Sequence, residues 1–447
     1  MVLVVSIISM FPEVDEAYAL QGVNVGQVGG AQAKQEASDG AILRKQSAQI
    51  KECSIGTTEK YVAQKLKLTI SGSGYGAYRD ALVEEQILLP TELTDTKKSI
   101  TKAELALLAS RVMAYKGEEE DMDLSKTIVS DKRISDLSKM KEPYKSSVVW
   151  VFGEGVMVGS SNGAYSQSRK FKPTETVTTG AMKSVILKAL GEKDRSIMSP
   201  DGQLTRTTNL PSNYKKFDYI LSAFPNKFYQ QRFNYQYSVF YYEPVNLKDY
   251  AAPVDIKKQM EKYNSDFVND ENVERWSNVV KENLTYRFNF NYKTVDDEWI
   301  ARLRNTYFKS YTDYDDVATD KIKYYVKKAT ENQVVLKSDQ IVVEPSTLYC
   351  DSTYYVFRCY VKFKISSAKE MYAYNSGKQK DLIYSDVNTN LKNLKKGIWI
   401  ERYFDIGVST SNVNDDGSNY AVFMDRLSDR TKPDLSKYEG QNIWCLY

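Results

Sequence analysis

The chain has 447 residues, enough for two to four domains at roughly 100–200 residues each. Its 27% charged and 42% hydrophobic residues exclude wholesale disorder. The 61 Lys+Arg against 58 Asp+Glu leave +3, which argues against a dedicated nucleic-acid binder. The sequence has no histidine, which rules out Ser-His, Cys-His and His-metal chemistry. Catalysis by carboxylates, Lys or Tyr stays open. Cys53, Cys350, Cys359 and Cys445 form no CxxC, so no zinc site or disulfide scaffold is implied. No cofactor is indicated.

The start of the chain reads as an export signal over residues 1–19. Val2 to Phe11 is apolar and too short for a membrane span. Pro12 and the polar stretch Glu13 to Glu16 follow, then Ala17-Tyr18-Ala19 in the small-x-small form that signal peptidase reads. The mature chain is then expected to begin at Leu20. No other stretch approaches membrane length. Export with so few cysteines fits a bacterial surface.

Residues 20–60, rich in Gly, Gln, Ala and Ser, read as a flexible lead-in. A repeat-like module is expected over 61–192. Within it Thr101-Lys102-Ala103-Glu104 has the T-x-x-E form of a capping box, with Leu105, Leu108 and Val112 following at helical spacing. Glu118 to Asp121 reads as a solvated acidic loop. Pro143 opens a helix with Tyr144, Val148, Val151 and Phe152 on one face, ended by Gly153 and Gly155. Met182, Val185, Ile186, Ala189 and Leu190 mark another helix.

This order of parts resembles the S-layer homology (SLH) family. Residues 134–190 match nearly a whole repeat: Ile134-Ser135-Asp136-Leu137, a helix, Gly155-Val156-Met157-Val158-Gly159, the Asn162-Gly163 turn, Phe171-Lys172-Pro173 and Val177-Thr178-Thr179-Gly180-Ala181. Residues 78–115 match a shortened copy. There Ala81 to Leu89 stands for the end of the first helix, and Ile100 to Glu104 stands close to the family's I-T-R-A-E. The resemblance implies non-catalytic attachment to bacterial cell wall. Three family repeats form a pseudo-threefold bundle whose grooves hold an anionic secondary wall polysaccharide, with the motif Arg as a main contact.

Lys102, at the position of the motif Arg, is a candidate polysaccharide contact, as are Trp150 and Gly159, and Thr101 and Glu104 are the capping pair. The sequence departs from the family in three ways. Two repeats are recognisable. Lys102 replaces Arg, keeping charge but losing the bidentate fork. Thr179 and Ala181 stand where the second repeat should carry Arg and Glu. Residues 76–192 hold 17 cationic and 17 acidic residues, so no bulk charge compensates. A module that keeps the fold and has lost its sugar binding is the competing reading. For Trp150, core packing competes with sugar stacking.

Residues 193–212, polar with Pro and Gly, read as a linker. A Tyr-rich domain is expected over 213–447; residues 214–447 carry 27 of the 34 tyrosines. Val273, Trp276, Val280 and Leu284 form one helical stripe. Trp299, Ile300, Leu303 and Tyr307 form another, capped by Asp296-Asp297. Strands follow at Gln333–Val343, bounded by Pro345, at Tyr354–Ile365, at Trp399–Ser409 and at Tyr420–Met424. In the second of these Tyr355, Phe357, Cys359, Val361, Phe363 and Ile365 point one way and Arg358, Lys362 and Lys364 the other. The expected fold class is multidomain: helical SLH-like repeats, then an α+β domain with an antiparallel sheet, cystatin- or NTF2-like by analogy.

Several tempting sites read better as structure. Asn412 to Gly417 resembles part of a calcium loop, but Phe423 stands where the bidentate Glu belongs, so a polar hairpin turn is expected. Asp313, Asp315 and Asp316 read as a solvated loop rather than glycosidase carboxylates. The tyrosines read as sheet packing rather than a sugar face, and Cys359 as an inert buried thiol.

The expected protein is an exported bacterial cell-surface protein. It would associate non-covalently with secondary cell-wall polysaccharide or other surface-layer proteins, display its C-terminal domain for binding or assembly, and could form homo-oligomers. Nucleic acid and a transmembrane span are not expected. The competing classes are a wall-anchored glycan hydrolase using carboxylates and a structural subunit of a surface layer or appendage.

Overall fold

Apolar residues at helical spacing followed by long alternating strands dictate helices first and a sheet second. The computed structural model follows that order and describes residues 52–130, 133–231, 270–308, 314–351, 354–371, 382–384, 391, 394–409 and 422–424. The expected signal and most of the lead-in lie outside them. So does 412–417. Among the described residues there are ten helices and two antiparallel sheets, a mixed α+β layout. No described helix is long and apolar enough to cross a membrane.

The helical part comprises α1 (Ile55–Leu66), α2 (Gly74–Glu84), α3 (Lys102–Tyr115), α4 (Met122–Ser130), α5 (Tyr144–Gly153) and α6 (Thr179–Ala189). The two-residue strands β1 (Ser160–Ser161) and β2 (Arg169–Lys170) close the turn between α5 and α6. Leu105, Leu108, Val112, Val148, Phe152, Met182 and Ile186 fill one apolar core. Residues 55–60, expected in the lead-in, are the first turns of α1. Its N-cap Ser54 accepts a hydrogen bond from Thr57 N–H. The acidic loop also does structural service. Asp121 Oδ1 accepts from the N–H groups of Asp123 and Leu124, opening α4, while Glu118 receives Arg195 at 2.7 Å.

The second part comprises the short α7 (Asn226–Tyr229), then α8 (Asp270–Phe288), α9 (Asp297–Asn305) and α10 (Tyr314–Glu331), and the strands β3 (Val335–Asp351), β4 (Tyr354–Ser367), β5 (Trp399–Ser409) and β6 (Val422–Met424). The sheet is a meander in the order β3-β4-β5-β6. Its inner face buries Tyr355, Phe357, Cys359, Val361, Phe363 and Ile365 against Trp276, Val280, Leu284 and Phe288 of α8. The expected strand bounded by Pro345 instead continues to Asp351, with an irregular register between Glu344 and Tyr349. That irregularity accommodates a residue that cannot donate to the ladder. Helix α10 was not expected, and its first turn takes in Asp315 and Asp316, which the sequence placed in a loop. It buries Ile322, Tyr325 and Ala329.

The outer face of this sheet differs from expectation. Arg358 was expected beside Lys362 and Lys364 on a polar face, yet it is fully buried. It lies directly across from Asp405, and the pair is bonded at 2.9 and 3.2 Å. The guanidinium also donates to the carbonyls of Phe228 (3.2 Å) and Gln231 (2.9 Å), at the end of α7. Next along the face, Tyr165 from the β1–β2 turn stacks on Tyr360 with ring centroids 3.7 Å apart, among Leu221, Phe224 and Phe228. Only farther on, at Lys362 and Lys364, does the face open to solvent.

The 193–212 linker is likewise corrected to a packed segment. Ser196 N–H donates to Gly155 C=O at 2.9 Å, and Arg206 N–H to Ile220 C=O at 2.8 Å. Asp201 pairs with Arg133 at 2.8 Å, and Gln203 reaches the buried Glu344 at 3.2 Å. Ser199 and Gln203 are buried. Gly155 has φ +68, and a Cβ there would lie 1.9 Å from Ser196 C=O, so only glycine permits the crossing. The described residues from Cys53 onward belong to one compact unit.

Removing the carboxylate of the Arg358–Asp405 pair leaves a buried guanidinium without its counter-charge. Asp405→Ala is expected to lower unfolding free energy by about 3–5 kcal/mol, while Arg358→Met with Asp405→Leu recovers most of it. Urea denaturation of the three proteins checks this. A cost under about 1 kcal/mol for Asp405→Ala, the range of an exposed pair, would contradict the buried pairing.

Candidate functional site

Three helices of the first part begin alike. Each has a hydroxyl N-cap that accepts a hydrogen bond from the backbone N–H three residues on: Ser54 from Thr57, Thr101 from Glu104, Thr178 from Ala181. The residues just before these caps meet in a closed ring. Cys53 N–H donates to Val177 C=O (2.9 Å), Ile100 N–H to Cys53 C=O (2.8 Å) and Val177 N–H to Ile100 C=O (3.2 Å). Each of the three residues gives one hydrogen bond and takes one, the pattern of a pseudo-threefold centre. All three are buried.

Two of the starts share a further device. Ile55 and Gly56 donate N–H to the carbonyls of Lys98 and Thr96, both at 2.9 Å. Lys102 and Ala103 donate to Glu175 (2.8 Å) and Pro173 (3.0 Å). The strand before one motif thus covers the helix start of the motif before it. At α3 the first free N–H groups are thereby taken by protein carbonyls and not offered to a ligand.

Thr101 and Glu104 form a reciprocal capping box. Glu104 Oε2 accepts from Thr101 N–H and Oγ1, both at 2.8 Å, and Oε1 accepts from Lys98 Nζ at 2.7 Å. Burial alone would raise the Glu104 carboxyl; the bonds from Lys98 and Thr101 outweigh it and hold it below the usual range. Lys102 Nζ lies 2.7 Å from Glu175, whose other oxygen takes Lys172 at 2.8 Å. The bond from Lys102, then that from Lys172, holds Glu175 below the usual carboxylate range. Lys98, Lys102 and Lys172 thus face Glu104 and Glu175, leaving one net positive charge. Glu175 and Lys172 were not singled out in the sequence. Their signal is position: Lys172 is the middle residue of the F-x-P stretch that returns to α3, and Glu175 follows that stretch by two residues.

Trp150 is half-buried against the helical core, and its indole N–H has no partner. Gly159 turns with φ +63, and a Cβ there would lie 2.7 Å from Lys170 C=O. Its carbonyl and that of Val158 accept from Arg169 at 2.9 and 2.6 Å. Gly159 is therefore fixed by the turn. Asp136, in the Ile134–Leu137 motif, accepts from the N–H groups of Phe171 and Lys172 at 2.8 Å and seats the F-x-P stretch.

The third start, Cys53-Ser54-Ile55-Gly56-Thr57, was missed. It shares with the other two an apolar residue, a hydroxyl, one variable position and then Gly or Ala. Its first helical residue is Ile55 where α3 has Lys102 and α6 has Thr179, so Lys102 is the one cation at these three positions. Asp315 and Asp316 lie in the first turn of α10, while Asp313 is outside the described residues. Among the described residues no group of three or more His, Cys, Asp or Glu could hold a metal ion. No protein-family model and no curated protein matches the chain.

Beside the ring, α1 buries Glu59 completely, and neither carboxylate oxygen has a hydrogen-bond partner. Burial pushes its pKa up to about 7, against the attraction of Arg79 and with the repulsion of Asp80. A raised acid is stabilising when protonated. Its contribution is present below the ordinary 4.5 and is lost as pH rises toward 7. That loss is on the order of 3 kcal/mol. Glu59→Gln is expected to flatten the fall in stability between pH 5 and about 7.5, read by thermal melts of both proteins. Parallel wild-type and variant profiles would contradict it.

Proposed function

We propose that the helical part is an SLH-like attachment module of an exported bacterial surface protein, and that it holds an anionic cell-wall polysaccharide beside Lys102. The observation that carries this reading is the ring of Cys53, Ile100 and Val177. It supports three repeats around one centre, the arrangement through which the SLH resemblance implies wall binding. The net positive charge around the α3 start supports an anionic ligand. The Lys102–Glu175 pair is partly exposed, at 24% and 47%, and such a pair is worth about 0–1 kcal/mol. A polymer carboxylate can therefore take the place of Glu175 at Lys102 and Lys172 at small cost. The C-terminal sheet with α8 across it supports a cystatin- or NTF2-like display domain with a non-catalytic role. Secondary wall polysaccharide is the primary partner, with other surface-layer proteins next.

Co-sedimentation with purified wall sacculi, with and without their secondary polymer, tests the reading. Lys102→Ala is expected to weaken binding by roughly 1.5–3 kcal/mol, the range for a hydrogen bond to a charged group. Glu175→Gln is expected to strengthen it by freeing both lysines, and added salt to weaken it. Binding that ignores Lys102, Glu175 and the polymer would leave a structural or protein-contact module.

A further inference from the structure

A cleft of about 480 Å³ lies away from the ring, between the packed 199–219 segment, α8 and β3. That volume is in the range of small-molecule sites. Its floor is built from buried polar groups. Arg133 is nearly fully buried and forks onto Asp201, Nε to the carbonyl at 2.9 Å and Nη2 to Oδ2 at 2.8 Å. Ser199 Oγ and Gln203 Nε2 donate to the same carboxylate at 2.5 and 2.8 Å. Asp201 is thereby fixed in one orientation before any ligand arrives, with part of its side chain, 25%, still exposed. Gln167 is held through its amide nitrogen by Glu344 at 3.0 Å, which leaves its amide oxygen as an acceptor. Ser346, also in the wall, has a buried hydroxyl with no partner in the protein.

The charges of the lining nearly cancel. Arg133 and Lys281 stand against Asp201, Asp218 and Glu274. A strongly charged ligand of either sign therefore meets repulsion as well as attraction. Tyr219, Pro200, Val343 and Pro345 supply apolar surface between the polar groups. Fixed planar acceptors and hydroxyls alternating with small apolar surfaces match a pyranose, whose rim carries hydroxyls and whose ring faces carry C–H groups. We propose that this cleft binds an uncharged saccharide, two to four sugar units long, at a site separate from the wall-polymer site beside Lys102.

The site joins residues from five stretches of the chain, around Arg133, Gln167, 200–219, α8 and β3, so it exists only while the 193–212 segment stays packed. The test therefore uses the whole mature chain. Cellotetraose, maltotetraose and tetra-N-acetylchitotetraose are titrated by calorimetry and saturation-transfer NMR. At least one is expected to bind with a Kd of about 1 mM or tighter. Asn278 is an exposed residue of α8 in the cleft wall, so Asn278→Trp should fill the cleft without disturbing the fold, and thermal melting checks that. The variant is expected to weaken binding by about tenfold or more, while Lys102→Ala leaves it unchanged. Raising salt to about 0.5 M should change the Kd less than about twofold, because the ligand carries no charge. Silence from all three sugars at about 10 mM, binding indifferent to Asn278→Trp, or binding abolished by salt would each overturn the proposal.

Discussion

Three backbone hydrogen bonds, linking Cys53, Ile100 and Val177 head to tail, fix where three helices begin. Each bond is ordinary, worth about 1 kcal/mol net. Their arrangement matters more than their strength. Closing the ring buries every donor and acceptor involved and leaves none unsatisfied. It also sets the three N-caps, Ser54, Thr101 and Thr178, around one point. The helices then diverge from a common centre and bury Val62, Leu105, Leu108, Val112, Met182 and Ile186 between them. The coverage of the α1 and α3 starts by the strand before the next motif follows from the same geometry. So does the placement of Glu175 against Lys102.

The second half depends on the first through the outer face of its sheet. A long antiparallel sheet with one face buried by α8 would ordinarily leave the other to water. Here Arg358, Tyr360 and Tyr403 are instead covered by residues 217–231 and by Tyr165 from the β1–β2 turn. Covering that face required a neutralised guanidinium, supplied by Asp405 directly across the ladder. Burying Glu344 required hydrogen bonds from Gln167, Gln203 and Ser346 N–H; burial itself, with Asp201 nearby, raises its pKa. The helical part and the sheet are thereby joined through polar groups, and the junction leaves a cleft with oriented side chains in its wall.

Much of the fold was legible from periodicity. The helix from Lys102, the helix after Pro143, the stripe at Trp276 and the alternation from Tyr355 to Ile365 all lie where spacing placed them. The errors fall where long-range contacts decide. Arg358 looks like a surface residue because nothing local reveals Asp405 across the sheet or the α7 carbonyls above it. Residues 193–212 look like a linker because their polarity is local, while the partners that satisfy it, Arg133, Gly155 and Glu344, are distant in sequence. The third helix start escaped because Cys53 and Ser54 lie beside a Gly- and Gln-rich stretch, and Ile55 lacks the cation that marks the motif. Of the candidate site, the capping box was readable from four residues. The carboxylate on Lys102 was not, since Glu175 lies 73 residues away.

Amide hydrogen exchange at the ring tests the central claim most directly. A closed ring opens as a unit, so the amides of Cys53, Ile100 and Val177 should exchange slowly and at closely similar rates, set by one cooperative opening. Ser54→Ala, which removes only the cap of α1, should speed all three together. Rapid exchange at Cys53 beside protected amides at Ile100 and Val177 would mean that the third start does not belong to the ring, and the threefold account would fail.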